Sequence, residues 1–529
     1  MSEQENVTSN TIQYEDQVDD SVYKRDQKSK WTRTRTGDRI ESEAKRTRKE
    51  LGAERRKKEY EDGNSMNFVL TSCRSNYVAP LDERGNPIKS DRRPKRKCAV
   101  MIGYCGTGYN GMQLQNDPAI PTIERDLYDA FGKAGAISQE NAVDIKKSGF
   151  MRAARTDKGV HAAGNVVSLK LIIEDPDIIA KINAELPDQI RVWGIQRTTK
   201  GFDCRKLCSS RIYEYLLPTY SLLPPKNGTV LSDLLKEKRA ESPDLFHDDP
   251  EGTQWWEQTY QKVLDAGITQ EQLDSIANVL EPDSESATPV VFEDGEITEF
   301  GKLVKQVKAI ENESRRSFKT STHRLDQFRN AMKQYEGTHN FHNFTIGKHF
   351  KDPSASRYMK STTVSDPFVI EGTEWVSIKI HGQSFMLHQI RKMIAMATMV
   401  VRIGCPVTII QDFFGNKKIN IPKAPALGLL LENPVYEAYN QTLQKMDYDP
   451  IDFTKYDDEM EAFKMKYIYD KIYAEEHKEN VFYGFFGYID TFKSNTDDER
   501  PDGTSVFDFL KNYTSVKSNE PVKEQTSEQ

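Results

Sequence analysis

At 529 residues, with 37% apolar and 29% charged side chains, the chain is long enough for roughly two to four average domains and too apolar to be disordered throughout. It has no apolar run of about 18 residues, and "MSEQENVTSNTIQYEDQVDD" carries neither the apolar core of a secretory signal nor the early arginines of a transit peptide. The expectation is a soluble, unsecreted protein with no membrane partner.

The net charge of −7 conceals an asymmetry, because between Lys24 and Lys58 fifteen Lys and Arg stand against six Asp and Glu, a local net of +9. A second basic run, "RRPKRK", covers 92–97. Such runs read as nuclear localisation signals, as nucleic-acid-binding arms or as plain solvated tail, and the first two are compatible. The six cysteines, Cys73, Cys98, Cys105, Cys204, Cys208 and Cys405, are too scattered for a disulfide framework and lack C-x-x-C spacing, so reduced thiols and no metal site are expected. Cys204 and Cys208 read more simply as packed thiols than as metal ligands.

In chain order, residues 1–65 are polar and aperiodic and read as a disordered basic region. The fold is expected to begin near 97. "KCAVMIGYCG" predicts a strand, "GTGYNGMQLQN" a glycine-rich loop, and "TIERDLYDAFGKAG" a helix with Ile123, Leu127 and Phe131 four apart. In "AARTDKGVHAAGNVVSLKL", charged groups crowd a turn that leads into a strand, with Val166, Val167, Leu169 and Leu171 suggesting one apolar face. "PDIIAKINAELP" predicts a helix ended by Pro187, and "IRVWGIQ" and "RIYEYLLP" predict two more strands. This first half spans 97–221.

Residues 222–323 are acidic and rich in Pro and Ser, which predicts an insertion or linker with one helical piece near 254–280. Pattern resumes over 324–440. "RLDQFRNAMKQYEG" predicts a helix presenting Leu325, Phe328, Met332 and Tyr335, and "WVSIKIHG" a strand. "SFMLHQIRKMIAMATMVVRIG" predicts a helix with an apolar stripe of Met386, Ile390, Met393, Ile394, Ala397 and Val401, ended by Gly404. Two similarly built halves flanking an insert suggest a cleft between them. A helical extension follows over 441–495, with "DEMEAFKMKYIYDKIYAEEH" amphipathic, and 496–529 reads as a polar tail.

Several motifs fail on chemistry. "GYCGTGYNG" lacks the G-x-G-x-x-G order and no GK[ST] follows. His161 lacks the partners of a zinc deaminase. His339 and His342 lack a third ligand. Asp157 remains, set between Arg155 and Lys158. Cations beside a carboxylate favour its charged form, which suits a nucleophile or base better than a general acid. Taken alone, "ARTDKG" is read equally well as a surface salt bridge or a turn-capping Asp.

The motif has company along the chain. "AARTDKGVHA" resembles the G-R-T-D-x-G-V-H-A signature of the TruA-type tRNA pseudouridine synthases, with Ala154 in the place of the usual glycine. "GYCGTGYNGMQLQ", "LPDQIRVWG", "FDCRKLCSSRIYEYLLP", "YEGTHNFHNFT", "GQSFMLHQIRKM" and "APALGLLLENPVY" resemble further family segments, in order, over about 97–218 and 325–440. The basic head, acidic insert and appended helix resemble the eukaryotic branch in a fungal form. Met112 stands where bacterial members often carry Trp, and the insert has no bacterial counterpart.

The resemblance implies an α+β fold: two ferredoxin-like halves forming one mostly antiparallel sheet, helices on one face, a central RNA-binding cleft and a C-terminal helical extension. It implies an isomerase that flips a uridine out of its stack, cuts N1 from C1′ and rejoins the base through C5. Asp157 is implied as the essential acid, attacking C1′ or C6 or taking the 2′ proton. Arg391 is implied as its ion-pair partner and Tyr213 as the group stacked on the uracil. Arg155, Lys158, His161 and Leu429 are the implied substrate-facing residues. No cofactor is required. The implied partners are tRNA at several uridines, including anticodon stem-loop and precursor sites, with small nuclear and messenger RNA for some members. Because bacterial members dimerise and the added helix near 455–478 can cover that surface, a monomer is expected, located in the nucleus. The competing expectation is a non-catalytic RNA-binding or RNA-chaperone protein on the same scaffold.

Overall fold

A computed structural model describes residues 93–142, 144–279, 298–491 and 504–505. The region 1–65, its basic run and nearly all of the tail 496–529 lie outside these residues. The first half runs β1 (Arg96–Tyr104), α1 (Ile123–Lys133), β2 (Met151–Arg152), β3 (His161–Leu171), α2 (Ile178–Glu185) and β4 (Ile190–Arg197). β4 and β3 flank β1, and the short β2 pairs with β3, so the spatial order is 4-1-3-2, a ferredoxin-like unit.

The second half begins with β5 (Ser210–Pro218) and is interrupted, among the described residues, by four helices: α3 (Val230–Glu241), α4 (Pro250–Asp265), α5 (Gln270–Val279) and α6 (Glu299–Arg316). It resumes with α7 (Thr322–Lys333), β6 (Gly337–Asn340), β7 (Ser356–Val364), β8 (Phe368–Ile370), β9 (Thr373–Gly382), α8 (Gln389–Ile403), the short β10 (Ile419–Asn420) and β11 (Leu429–Val435). β11, β5, β9 and β7 repeat the 4-1-3-2 order. The two units share one sheet, ordered β4-β1-β3-β11-β5-β9-β7-β6. Every pairing in it is antiparallel except the seam, where Leu430 and Leu431 of β11 run parallel to His161 and Ala162 of β3.

The expected helices cover one face. Cys98, Val100 and Ile102 of β1 and Val167, Leu169 and Leu171 of β3 pack under Ile123, Leu127 and Phe131 of α1 and Ile182 of α2. The opposite face is not open, because the C-terminal extension lies on it. That extension comprises α9 (Glu437–Gln444), α10 (Asp457–Phe463), a wide π turn over Lys464–Tyr469, α11 (Asp470–Glu479) and α12 (Val481–Thr491). Met101, Ala163 and Val166 join its core with Phe453 and Phe463, and Trp193 meets Phe463 edge to face at 5.4 Å. β3 is therefore apolar on both faces rather than one, with Lys170 its sole exposed residue. Coverage on both sides explains why "CAVMI" reads as a continuous apolar run. Where the buried Glu214 of β5 meets this extension, Tyr469 Oη donates to it at 2.7 Å and Lys464 Nζ lies 3.7 Å away.

The insert is more helical than its composition predicts. Most of its charge lies on the exposed sides of its helices, with Glu311 and Arg315 of α6 buried as exceptions, while Trp256 of α4 sends its indole N–H to Pro224 O at 3.0 Å. Arg324, buried at the start of α7, donates to Asp249 Oδ1 at 2.7 Å and to Leu222 O at 3.0 Å. No described helix is long and apolar enough to cross a membrane.

Candidate active site

The turn between β2 and β3 is held from beneath by a buried polar chain. Thr156 Oγ1 lies 2.9 Å from Tyr104 Oη, Asn165 Nδ2 donates to Tyr104 Oη and to Ala154 O at 3.2 Å each, and Asn165 Oδ1 accepts from Val166 N–H at 2.8 Å. From the glycine-rich loop, Met112 N–H reaches Thr156 O at 3.1 Å. That approach requires Gly111, which has φ +90° and where a Cβ would stand 2.8 Å from Thr156 O. Val160 N–H then closes on Asp157 O at 3.1 Å, with Gly159 at φ +75°. The result is a rigid backbone that lifts Asp157 out of the core, its side chain 50% exposed.

Asp157 opens into a cleft of about 1190 Å³ between the two halves. Six arginines line it, Arg152, Arg155, Arg205, Arg211, Arg357 and Arg391, and Asp157 is the single carboxylate among the lining residues. Tyr213 of β5 forms part of the wall, its ring 5.0 Å from that of Phe385 at 75°. Burial pushes the Tyr213 phenol up to about 12, so it stays a neutral ring. Arg211 donates to Ala153 O at 2.9 Å and so ties β5 to the Asp157 turn. Arg152 is committed elsewhere, paired with the buried Glu124.

A family profile described as tRNA pseudouridine synthase matches residues 331–437. Over 449 residues the chain is 68% identical to tRNA pseudouridine synthase 1 of Candida albicans, covering 83% of this chain and 73% of that one. The chain belongs to the tRNA pseudouridine synthase family. It is also 51% identical over 509 residues to tRNA pseudouridine synthase 1 of Saccharomyces cerevisiae, covering 94% of this chain and 88% of that one. The tRNA pseudouridine(27/28) synthase of the same yeast is 38% identical over 391 residues, 73% of this chain and 97% of its own. The protein is thus an isomerase that makes pseudouridine in tRNA.

Within this tRNA pseudouridine synthase, Asp157, Arg155, Tyr213, Arg391 and Leu429 all line the cleft. Two expected residues do not. His161, the first residue of β3, is 1% exposed and accepts Gly106 N–H at Nδ1 over 3.1 Å. Burial drives its pKa down to about 4, so it is a neutral core acceptor that supports the glycine-rich loop and not a substrate contact. Lys158 is exposed and is not among the lining residues.

The expected ion pair between Arg391 and Asp157 is not closed. Arg391 Nε donates to Ala424 O at 2.6 Å, and the side chain that does approach the carboxylate is the His388 imidazole, with Nδ1 3.7 Å from Asp157 Oδ2. His388 lies within "HQIRKM", but nothing in the sequence marks it as a site residue. Apolar spacing places "SFML" in the helix, whereas α8 starts only at Gln389 because His388 takes a left-handed backbone at φ +61°. Thr345 Oγ1 donates to Leu387 O at 2.9 Å, and the buried Lys392 bonds Asn343 O and Thr345 O at 3.2 and 3.1 Å, so loop 341–345 braces this segment. Burial lowers the Lys392 pKa to about 8.

Proposed function

We propose that Asp157 initiates the isomerisation of a uridine flipped into the cleft, and that the arginines around it hold the RNA. The observation that carries this reading is a single accessible carboxylate among six lining arginines. Phosphates are drawn to guanidinium groups, while a lone carboxylate tolerated in such a field serves chemistry rather than binding. Flipping costs a few kcal/mol, which Arg155 offsets by entering the vacated space or gripping the adjacent phosphate.

Tyr213 stacks on the uracil, with Leu429 closing the pocket beneath it. The carboxylate attacks C1′ or C6 or takes the 2′ proton, and each route breaks N1–C1′. The base then turns and C5 bonds to C1′; the C5 proton leaves to water, N1 takes a proton up, the carboxylate is released and any proton taken from C2′ is returned, so atoms balance without redox or energy input. On entry of the base, Arg391 swings its other guanidinium nitrogens towards Asp157 while Nε stays on Ala424 O. The experiment is release of tritium from uridine labelled at C5, run beside filter binding of tRNA. Asp157→Ala should release none while binding as well as wild type or slightly better, since one negative charge leaves a basic cleft. Tritium release near the wild-type rate from the folded variant would sink the assignment.

The reading extends to several tRNA uridines, including anticodon stem-loop and precursor sites, and to small nuclear and messenger RNA. A cleft that grips phosphates and a flipped base sets few limits on sequence. Pseudouridine maps of RNA from cells with and without the protein test this. The basic run over 24–58 supports a nuclear location. Its deletion should leave a fluorescent fusion in the cytoplasm, and a fusion that stays nuclear would refute the signal. The second run is partly structural: Lys95 Nζ donates to Ser138 Oγ at 2.8 Å, and Arg96 and Lys97 open β1. Coverage of the second sheet face by α10 and α11 supports a monomer, which light scattering checks.

A further inference from the structure

We infer that His388 is the positioning residue of the reaction, its imidazole donating from Nδ1 to Asp157 Oδ2 so that the other carboxylate oxygen is aimed at the substrate. This rests on the reading of Asp157 given above. His388 Nδ1 is buried, has no hydrogen-bond partner, and stands 3.7 Å from Oδ2. The gap is less than about 1 Å beyond hydrogen-bond length. An orphaned buried nitrogen costs free energy, so it persists where a partner arrives during function.

The backbone makes the same point. A non-glycine residue at φ +61° is strained by about 1 kcal/mol or more, and this strain sits immediately before α8 in the wall of the cleft. With the backbone in this left-handed turn, the imidazole stands 3.7 Å from the carboxylate.

Charged groups face His388 from each neighbouring segment: Asp157 from the turn before β3, Arg391 and Lys392 from α8, and Lys423 from the connection between β10 and β11. Burial lowers its pKa, with Lys423 and Arg391 adding to the effect and Asp157 opposing it. A neutral ring follows at neutral pH. With its hydrogen on Nδ1 it orients the carboxylate without cancelling its charge, which a cation in the same place would do. That division leaves Arg391 to answer charge changes during the reaction.

The test uses the full chain, with turnover at saturating tRNA and filter-binding affinity measured for three variants. His388→Gly accepts the left-handed backbone and removes the donor, so kcat should fall about ten- to a hundredfold with affinity within about twofold of wild type. His388→Asn tolerates the same backbone and keeps an N–H at the δ position, so it should stay within about threefold of wild type. His388→Asp has the shape of Asn but opposes Asp157 with like charge, and should lose nearly all turnover. This last pair carries the test even if the glycine variant fails to fold. Wild-type turnover by His388→Gly, equal rates for the Asn and Asp variants, or loss of binding in step with loss of turnover would each overturn the inference. Asp157→Ala is assayed in parallel. If it turns over, the reading of Asp157 falls. If it is dead while the His388 variants are normal, only the role of His388 falls.

Discussion

Arg391 and Ala424 hold each other reciprocally: Arg391 Nε donates to Ala424 O at 2.6 Å, and Ala424 N–H donates to Arg391 O at 3.2 Å. The guanidinium is thereby fixed at one nitrogen, on a helix whose buried residues are mostly apolar. Arg391→Lys keeps the charge but has no planar fork to hold Ala424 and reach Asp157 together. Single-turnover rates on tRNA should drop about ten- to a hundredfold with the thermal midpoint nearly unchanged. A lysine variant as fast as wild type would show that charge alone is what the site needs.

The hydroxyl of Tyr104 joins Thr156 to Asn165 under the Asp157 turn. Tyr104→Phe leaves both partners short of a bond in a buried place, which costs about 1–3 kcal/mol. Denaturant titration should read that loss. Turnover at saturating tRNA should fall as well, because the carboxylate is placed only through this turn, while tRNA affinity should hold. A destabilised variant with full turnover would show that the turn keeps its shape without the network.

Acid sensitivity follows from His161. In the unfolded chain its imidazole takes a proton near pH 6.5, whereas in the fold it does so only near 4. Between those values the unfolded chain holds more protons, so this residue makes stability fall as pH drops through that window. From pH 7 to pH 4.5 the loss is about 2 kcal/mol. His161→Asn keeps an acceptor for Gly106 N–H without titrating, so the difference between its urea midpoints at the two pH values should be smaller than in wild type. Equal pH slopes for both proteins would place the acid sensitivity elsewhere.

Among the described residues, none that lines the cleft comes from 222–323, yet the insert is joined to the core through Arg324 and Asp249. Asp249 also accepts Gly252 N–H at 2.9 Å at the start of α4. Asp249→Ala uncovers a buried guanidinium and removes a cap, and should cost about 3 kcal/mol. At a temperature where the variant is folded its turnover should equal that of wild type. A reduced turnover there would mean that the insert shapes the site after all.

Much of this was legible from the chain. Strands β1, β4, β5 and β9 and helices α1, α2 and α7 follow from apolar periodicity, and the ordered motifs carried the paired ferredoxin-like architecture. What escaped did so for physical reasons. β7, "SRYMKSTTV", pairs near the sheet edge and is mostly polar, so no apolar alternation marks it. The second buried face of β1 and β3 depends on helices more than 280 residues later, a contact no local window contains. At the site, Asp157 was found through its neighbours in sequence, whereas His388 reaches it only through space. Periodicity also concealed the left-handed turn, because Met386 and Ile390 are four apart and look helical whether or not the backbone at 388 complies.

The parallel seam between β3 and β11 joins the half of the sheet that is synthesised first to the strand that completes the second half. Its two residue pairs, Leu430 with His161 and Leu431 with Ala162, form beside the turn that carries Asp157. A nascent chain can pair β1, β3 and β4 early, but the free edge of β3 must wait for a strand that emerges last. Until then, an unpaired edge beside a basic surface is exposed on the ribosome, next to abundant RNA. A chain ending before Leu429 therefore does not make a weaker enzyme. It makes a half-sheet with one wall of a cleft and an open edge, and such a fragment is a substrate for aggregation or proteolysis rather than for catalysis.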